Sequence, residues 1–410
     1  MSLKSMNLYR LIWIFFLLYA SKTVANNTAS ADSILSPYAE ISVLTFERGN
    51  GVANIWGHTG IRVRDDLKGI DIVYNYGTYD FDAPNFLMKF LRGKLDYSLS
   101  PGSYNAVARY YTYFKRSIFE QILSLDYDEK VKLYELLLEN YKPENRYYKY
   151  DFFFDNCSTR PLSIIEKSLN GKLLLNEEIN TLTFRQLLEW QIWDKHWLNF
   201  GIDLIIGSRA DKNPSPFQTS FLPLKLKEKL SSALILPHEP GVNSKGKLAE
   251  RKLIKSETAL TSFEVQYSRM PEFLKPIWIF TFLFLIEILI FYFSYRSGTL
   301  RYCWYDKTWF IIALTGGLII AFLWFFTDHI ATKANWNFVV LNPLYLFLLF
   351  RLKVFRFWIA NVVSTGLFLI LVSYNFLPQE LHPAIIPIAG TLLLKSAKYG
   401  LLSKYFIRTK

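Results

Sequence analysis

Asp155-Asn156-Cys157-Ser158-Thr159-Arg160 lies between an aromatic run at 147–154 and a helix-like segment at 161–169. A cysteine at the mouth of a helix meets the positive end of the helix dipole and a set of unpaired backbone N–H groups, and both favour thiolate over thiol. A thiolate nucleophile works with an imidazole, and one stands upstream in Trp56-Gly57-His58-Thr59-Gly60-Ile61-Arg62-Val63. Cysteine and histidine together point to acyl transfer, with Cys157 as nucleophile and His58 as base. Such sites use a third group to orient the ring, and Asn75 is the candidate, although it also fits the cap of a turn. Backbone N–H groups at the helix start are expected to hold the oxyanion. Asn156 or Asp155 is the expected N-cap, and Arg160 either closes the helix start, pairs with Asp155 or supports the substrate. The bland alternatives are a buried small hydrophobe for Cys157 and a packed structural ring for His58; the polar setting of Cys157 weighs against the first.

The flanking sequence must supply elements that bring these residues together. Residues 41–46 read as a short strand, 58–64 alternate, 65–69 form a polar turn and 72–76 return, which sets His58 opposite 75–77. Residues 86–90 read as a short helix and the tyrosine-rich 104–113 as a strand. Apolar residues at helical spacing mark 127–141 as a helix ending before Pro143, and Gly171 is expected to end the helix that begins near Cys157. Residues 182–205 read as a helix interrupted near Gly201, and the charged stretch 237–257 as a surface loop or linker.

With 51% apolar and 17% aromatic residues, the chain carries more aromatic surface than a soluble core needs, which points to lipid. The formal charge of +12 gathers between apolar runs and at the C-terminal end, so it reports membrane topology and not nucleic-acid binding. Lys4 and Arg10 precede the apolar run 11–20, with small residues after it; this is signal-peptide grammar, with cleavage after Ala25. The expected division is a signal peptide at 1–25, an outer domain at 26–235, a linker at 236–275, membrane helices at 276–397 and a cytoplasmic basic tail at 398–410. Segments 277–295, 309–326 and 357–377 are long enough to span, while 338–350 and 383–394 are short for a layer of about 30 Å. Five passes place the cationic loops inside and residues 26–275 outside. Cys303 then lies across the membrane from Cys157 and cannot pair with it. Glu287 sits mid-span, where it either lines a lipid cavity or pairs with another helix. Asp328 and His329, on an outer loop, either help receive substrate or lie at the headgroup level. No metal-ligand spacing, phosphate-cradling loop or dinucleotide fingerprint is present, so neither metal nor cofactor is expected.

Gly57-His58-Thr59-Gly60-Ile61-Arg62-Val63, Tyr74-Asn75-Tyr76-Gly77-Thr78-Tyr79-Asp80-Phe81, Asp155-Asn156-Cys157-Ser158-Thr159-Arg160 and Phe221-Leu222-Pro223 resemble the Lnb family of bacterial membrane proteins, as do Thr327-Asp328-His329, Asn335-Trp336-Asn337 and Asn342-Pro343. The order of His58-Thr59-Gly60 before Asn156-Cys157 is also similar to that of circularly permuted NlpC/P60 thiol enzymes, including lecithin:retinol acyltransferase-like proteins. Many of those use a second histidine where Asn75 stands. The resemblance implies an α+β periplasmic domain of permuted papain-like, NlpC/P60-like fold, followed by an all-α bundle of about five transmembrane helices in the bacterial inner membrane. It implies a lipoprotein N-acyltransferase: Cys157 takes an acyl group from a phospholipid or lipoprotein donor and passes it to the N-terminal cysteine of a lipoprotein acceptor. Two other readings stand beside it, a membrane-anchored cysteine peptidase or amidase acting on cell-wall peptide, and a non-enzymatic membrane adaptor.

Overall fold

The computed structural model describes residues 34–51, 54–80, 82–175, 182–237, 250–298, 304–350 and 353–406; the expected signal peptide and Cys303 lie outside them. The outer domain is built on one antiparallel sheet. Its strands are β1 (Glu40–Phe46), β2 (His58–Asp65), β3 (Ile70–Thr78), β4 (Asp96–Ser103), β5 (Ile118–Leu123), β6 (Tyr147–Lys149) and β10 (Ile254–Thr261), in the order β10-β5-β1-β2-β3-β4-β6. The β2–β3 hairpin has the anticipated register, with Gly60 opposite Asn75. A second sheet of three short strands joins β7 (Gly171–Leu174), β8 (Leu234–Pro237) and β9 (Arg251–Lys252).

Strand alternation sends alternate side chains to opposite faces. Ile41, Val43, Ile61 and Val63 enter a core with Leu133 and Leu137 of α3 (Tyr127–Tyr141) and Leu162 and Ile165 of α4 (Thr159–Ser168). Leu44, Phe46 and Val73 pack on the other side with Tyr111 and Val107 of α2 (Tyr104–Tyr113). The remaining outer helices are α1 (Phe86–Leu91), α5 (Phe184–Gln191), α6 (His196–Ile205) and α7 (Pro223–Ser232).

Three local expectations are corrected. Residues 104–113 form α2 and not a strand: Ser103 caps the helix by accepting from the Ala106 N–H, and tyrosines that favour strands sit equally well on a helix with one buried face. The break in 182–205 falls at 192–195, not at Gly201, because the buried Asp194 there is committed to Arg48 at 2.7 Å and to the Ser268 N–H. The segment expected to be a linker at 236–275 contains β10, which pairs with β5 along the sheet edge. A charged sequence suits that edge strand because none of its residues is buried and 255–259 are exposed on both faces.

In the C-terminal region, α8 (Pro276–Ser297), α9 (Trp304–Phe325) and α12 (Lys353–Ser373) carry the three segments long and apolar enough to cross a membrane. Two shorter apolar segments complete five: 337–349, split into α10 (Asn337–Val340) and α11 (Tyr345–Leu349), and α13 (Ile385–Ala397). Glu287 of α8 is wholly buried and meets Lys395 at 2.6 Å and Lys398 at 2.8 Å, while Asp306 of α9 meets Lys395 at 2.9 Å. The Tyr399 hydroxyl also donates to Asp306. Lys398, expected in a solvated tail, is therefore an internal counter-ion. Two acids and two bases cancel, so the helices can carry these charges through a medium that would reject any one of them.

The bundle meets the outer domain through its outer loops. The Asn335 and Asn337 side chains donate to the Leu204 and Asp203 carbonyls at the end of α6, and Gln379 donates to the Ile206 carbonyl. Arg185 of α5 holds the same corner from within, bonded to Asp203 at 2.6 Å and Asp211 at 2.8 Å. Lys395→Met leaves two buried carboxylates facing one lysine and is expected to lower stability by about 3–5 kcal/mol. Thermal unfolding of the detergent-solubilised full chain checks this; an unchanged transition would show that the cluster does not hold the helices.

Candidate active site

The turn that presents Cys157 is fixed by the buried side chain of Asn156. Its Oδ1 accepts from the backbone N–H groups of Ser158 at 2.7 Å and Thr159 at 3.0 Å, while its Nδ2 donates to the carbonyls of Phe152 at 2.7 Å and Phe221 at 2.9 Å. The Asn156 N–H donates in turn to Thr159 Oγ1. Helix α4 therefore begins at Thr159, two residues after the cysteine. Of the backbone N–H groups at the helix start, Asn156 occupies those of Ser158 and Thr159, while that of Cys157 approaches its own sulfur.

The sulfur is held from the sheet side. The backbone N–H of Thr59, the hydroxyl of Ser158 and the hydroxyl of Tyr150 approach it, and Thr59 Oγ1 lies 3.1 Å from Ser158 Oγ, which ties β2 to α4. These contacts favour the thiolate, but burial outweighs them and pushes the Cys157 thiol up. The residue keeps partial exposure through the cavity in front of it, yet the groups packed around the sulfur remove water from it. The thiolate expected from the helix dipole is thus corrected: at neutral pH the resting group is a thiol, because desolvation exceeds the dipole's influence.

His58, the first residue of β2, stacks on Phe46 with ring centroids 5.8 Å apart. Its Nε2 lies 3.2 Å from Asn75 Oδ1, and Asn75 Nδ2 donates to the Val73 carbonyl. With its amide so oriented, Asn75 can only accept from His58. Nε2 then carries the proton, and Nδ1 keeps a free lone pair. Burial lowers the His58 pKa to about 4, opposed by the Asn75 bond and assisted by the charge of Arg116. The ring is therefore neutral across the physiological range and able to accept a proton.

Cys157 and His58 line one cavity of about 560 Å³, together with Trp56, Tyr79, Tyr150, Phe152 and Phe221. They reach it from opposite faces of the sheet, at the end of β2 where the strands stop. Gly77 of β3 borders Cys157, and its φ of +89° turns the strand there in a conformation that other residues rarely adopt. No hydrogen bond joins sulfur and imidazole among the described residues.

The other expected residues divide. Asp328 and His329, from the loop after α9, form part of the cavity wall with Ile330 and Ala331. Arg160 is turned away: it grips Asp155 at 2.5 and 2.8 Å and lies 3.5 Å over the Tyr148 ring, so it braces the turn. Glu287 is not among the residues lining the cavity; its partners are the lysines of the bundle. Tyr150, Thr59 and Arg116 were missed. Tyr150 closes the aromatic run before Cys157, but nothing in that run distinguishes it from its neighbours. Among the described residues no group of His, Cys, Asp and Glu stands where it could hold a metal ion.

Fold and site together define a membrane-embedded protein whose outer domain has a thiol and a neutral imidazole lining one cavity. The Lnb N-terminal periplasmic domain matches residues 29–190, and the Lnb transmembrane domain matches residues 268–405. The chain belongs to the Lnb family, with a periplasmic portion and a transmembrane portion. No curated protein and no solved structure matches it.

Because the thiol is raised and His58 is already neutral, alkylation of Cys157 by iodoacetamide is expected to be slower at pH 7 than that of a free cysteine. The rate should keep rising beyond the ordinary thiol range, with no inflection near pH 6.5. Rate constants measured by mass spectrometry between pH 5 and 10 check this; a plateau reached below pH 7 would mean a preformed thiolate.

Proposed function

We propose that this protein is a lipoprotein N-acyltransferase working through a thioester on Cys157, in the bacterial inner membrane. One observation carries the reading: a cysteine and a neutral histidine share an aromatic cavity whose wall includes the outer loop of the membrane region, Asp328 to Ala331. A peptidase acting on cell-wall peptide would have no use for such a wall, and an adaptor none for the nucleophile. Membership of the Lnb family supports lipoprotein N-acylation as the class of reaction.

In the first half-reaction His58 Nδ1 takes the Cys157 proton as the sulfur attacks the carbonyl carbon of an ester donor. The C–O bond breaks, His58 returns the proton to the departing alkoxide, and an alcohol and an acyl-thioester result. In the second, the α-amino group of a lipoprotein's N-terminal cysteine attacks the thioester. His58 takes the amine proton and returns it to sulfur as the C–S bond breaks, leaving an amide and the free thiol. Asn75 keeps the proton on Nε2, so that Nδ1 carries the free lone pair the scheme needs. Tyr150 is the donor best placed for the oxyanion, since its hydroxyl already approaches the sulfur. A raised thiol pKa suits this scheme: the nucleophile is protected at rest and is activated only as the base removes its proton.

Incubation with a phospholipid donor, followed by intact-protein mass spectrometry, should show a hydroxylamine-sensitive acyl adduct on Cys157 that is absent in Cys157→Ser. His58→Ala should slow its formation by about 10²–10⁴-fold, the usual worth of a positioned general base, with the thermal transition retained. Full adduct formation in His58→Ala would remove His58 from the mechanism, and failure of phospholipid and lipoprotein donors alike to label Cys157 would end the acyltransferase reading.

A further inference from the structure

Helix α1 buries none of its residues: Leu87 is 66% exposed, Met88 54%, Phe90 45% and Leu91 40%. Four large apolar side chains on six residues form an uncovered patch. The helix is fastened to the membrane region at its C-terminal end. The Asp328 N–H donates to the Arg92 carbonyl at 2.9 Å, His329 Nε2 lies 3.2 Å from the Leu91 carbonyl, and Lys94 faces Asp328 at 3.9 Å. Gly93 allows the approach, with φ of +68° and His329 atoms 3.2 Å from where its Cβ would be.

Asp328 follows Phe325, the last residue of the spanning helix α9, by three positions, so the chain can carry it at most about 10 Å from that helix end. Phe325, Phe326 and Ile330 are exposed as well, so large apolar side chains stand uncovered on both sides of the contact between α1 and the loop after α9. Lys89 and Arg92 on and beside α1 carry the charge that phosphate headgroups would meet. Phe90 and Gly93 on one side, and His329, Ile330 and Ala331 on the other, also line the cavity that holds Cys157.

We propose that α1 lies in the headgroup and upper acyl layer of the outer leaflet, and that the seam between α1 and the loop after α9 is the doorway through which an acyl chain of a membrane phospholipid reaches Cys157. The position of the helix stands on its own, whereas the doorway rests on the acyl-transfer reading. It identifies the donor as a lipid drawn sideways from the bilayer and not one delivered from the aqueous side.

Two measurements on the full chain in phospholipid nanodiscs test it. With Cys157→Ser and Cys303→Ser as background, Met88→Cys labelled with NBD should emit in the blue and be quenched at least threefold more by shallow doxyl phospholipid than by aqueous iodide. Emission at the water value with efficient iodide quenching would overturn the placement. In the otherwise unaltered chain, the double variant Leu87→Glu with Met88→Glu should slow acylation of Cys157 from nanodisc phospholipid at least tenfold and leave acylation by the soluble ester p-nitrophenyl butyrate unchanged. Equal loss with both donors, or no loss with either, would overturn the doorway. If the unaltered chain is acylated by neither donor, the acyl-transfer reading and the doorway fall together, while the fluorophore still decides where α1 lies.

Discussion

One buried amide decides where the sulfur sits. Asn156 uses both lone-pair directions of its oxygen on the Ser158 and Thr159 N–H groups and both hydrogens of its nitrogen on the Phe152 and Phe221 carbonyls. Each bond satisfies a backbone group that would otherwise be buried unpaired, so displacing the side chain would orphan four partners together. The carbonyls belong to Phe221, a member of the aromatic cluster with Phe153 and Phe184, and to Phe152 packed against it, so the same residue locks the start of α4 to that cluster. The cysteine between them has little freedom left. Its approach to Thr59 and Tyr150 follows from that lock, together with the Thr59–Ser158 contact across to the sheet.

The same principle, burial made tolerable by complete pairing, recurs in the bundle and at its junction with the outer domain. Glu287, Asp306, Lys395 and Lys398 neutralise one another where lipid would reject each alone, and Arg185 spreads its guanidinium over Asp203, Asp211 and two carbonyls beside the outer loops. Such networks contribute little net stability against an apolar packing, but they are intolerant of partial loss. At the junction, the Asn335, Asn337 and Gln379 side chains bond the carbonyls at 203–206 beside Arg185 and so fix the loop at 326–336 relative to the outer domain, and this loop forms one wall of the cavity. A site that works on lipid needs that fixed geometry, since neither half of the molecule encloses the cavity by itself.

Much of the site was legible in the sequence because it depends on local periodicity. A two-residue alternation marks β2 and β3, and the polar turn between them sets the register that brings Asn75 to His58. The run of polar residues around Cys157 marks a turn before a helix. Other parts were not legible. The tyrosines of α2 suit strand and helix alike, and β10 follows a charged stretch that reads as linker until it is seen to complete an edge. The charge state of Cys157 was inverted by reasoning from the helix start alone, because Asn156 takes up the N–H groups and the desolvation comes from residues far away in the chain.

The sequence alone marked the β2–β3 hairpin, the helix start after Cys157 and the three long apolar helices, and it held two side chains with the chemistry of an acyl-transfer pair. These depend on neighbours within a few residues or on the partition of apolar runs into lipid. Only the tertiary structure decided that Tyr150 lines the cavity with Cys157, that Lys395 and Lys398 answer Glu287, and that Asp328 to Ala331 form part of the cavity wall. Burial, dielectric and charge pairing are sums over groups brought together by folding, and no local pattern in the chain encodes such a sum.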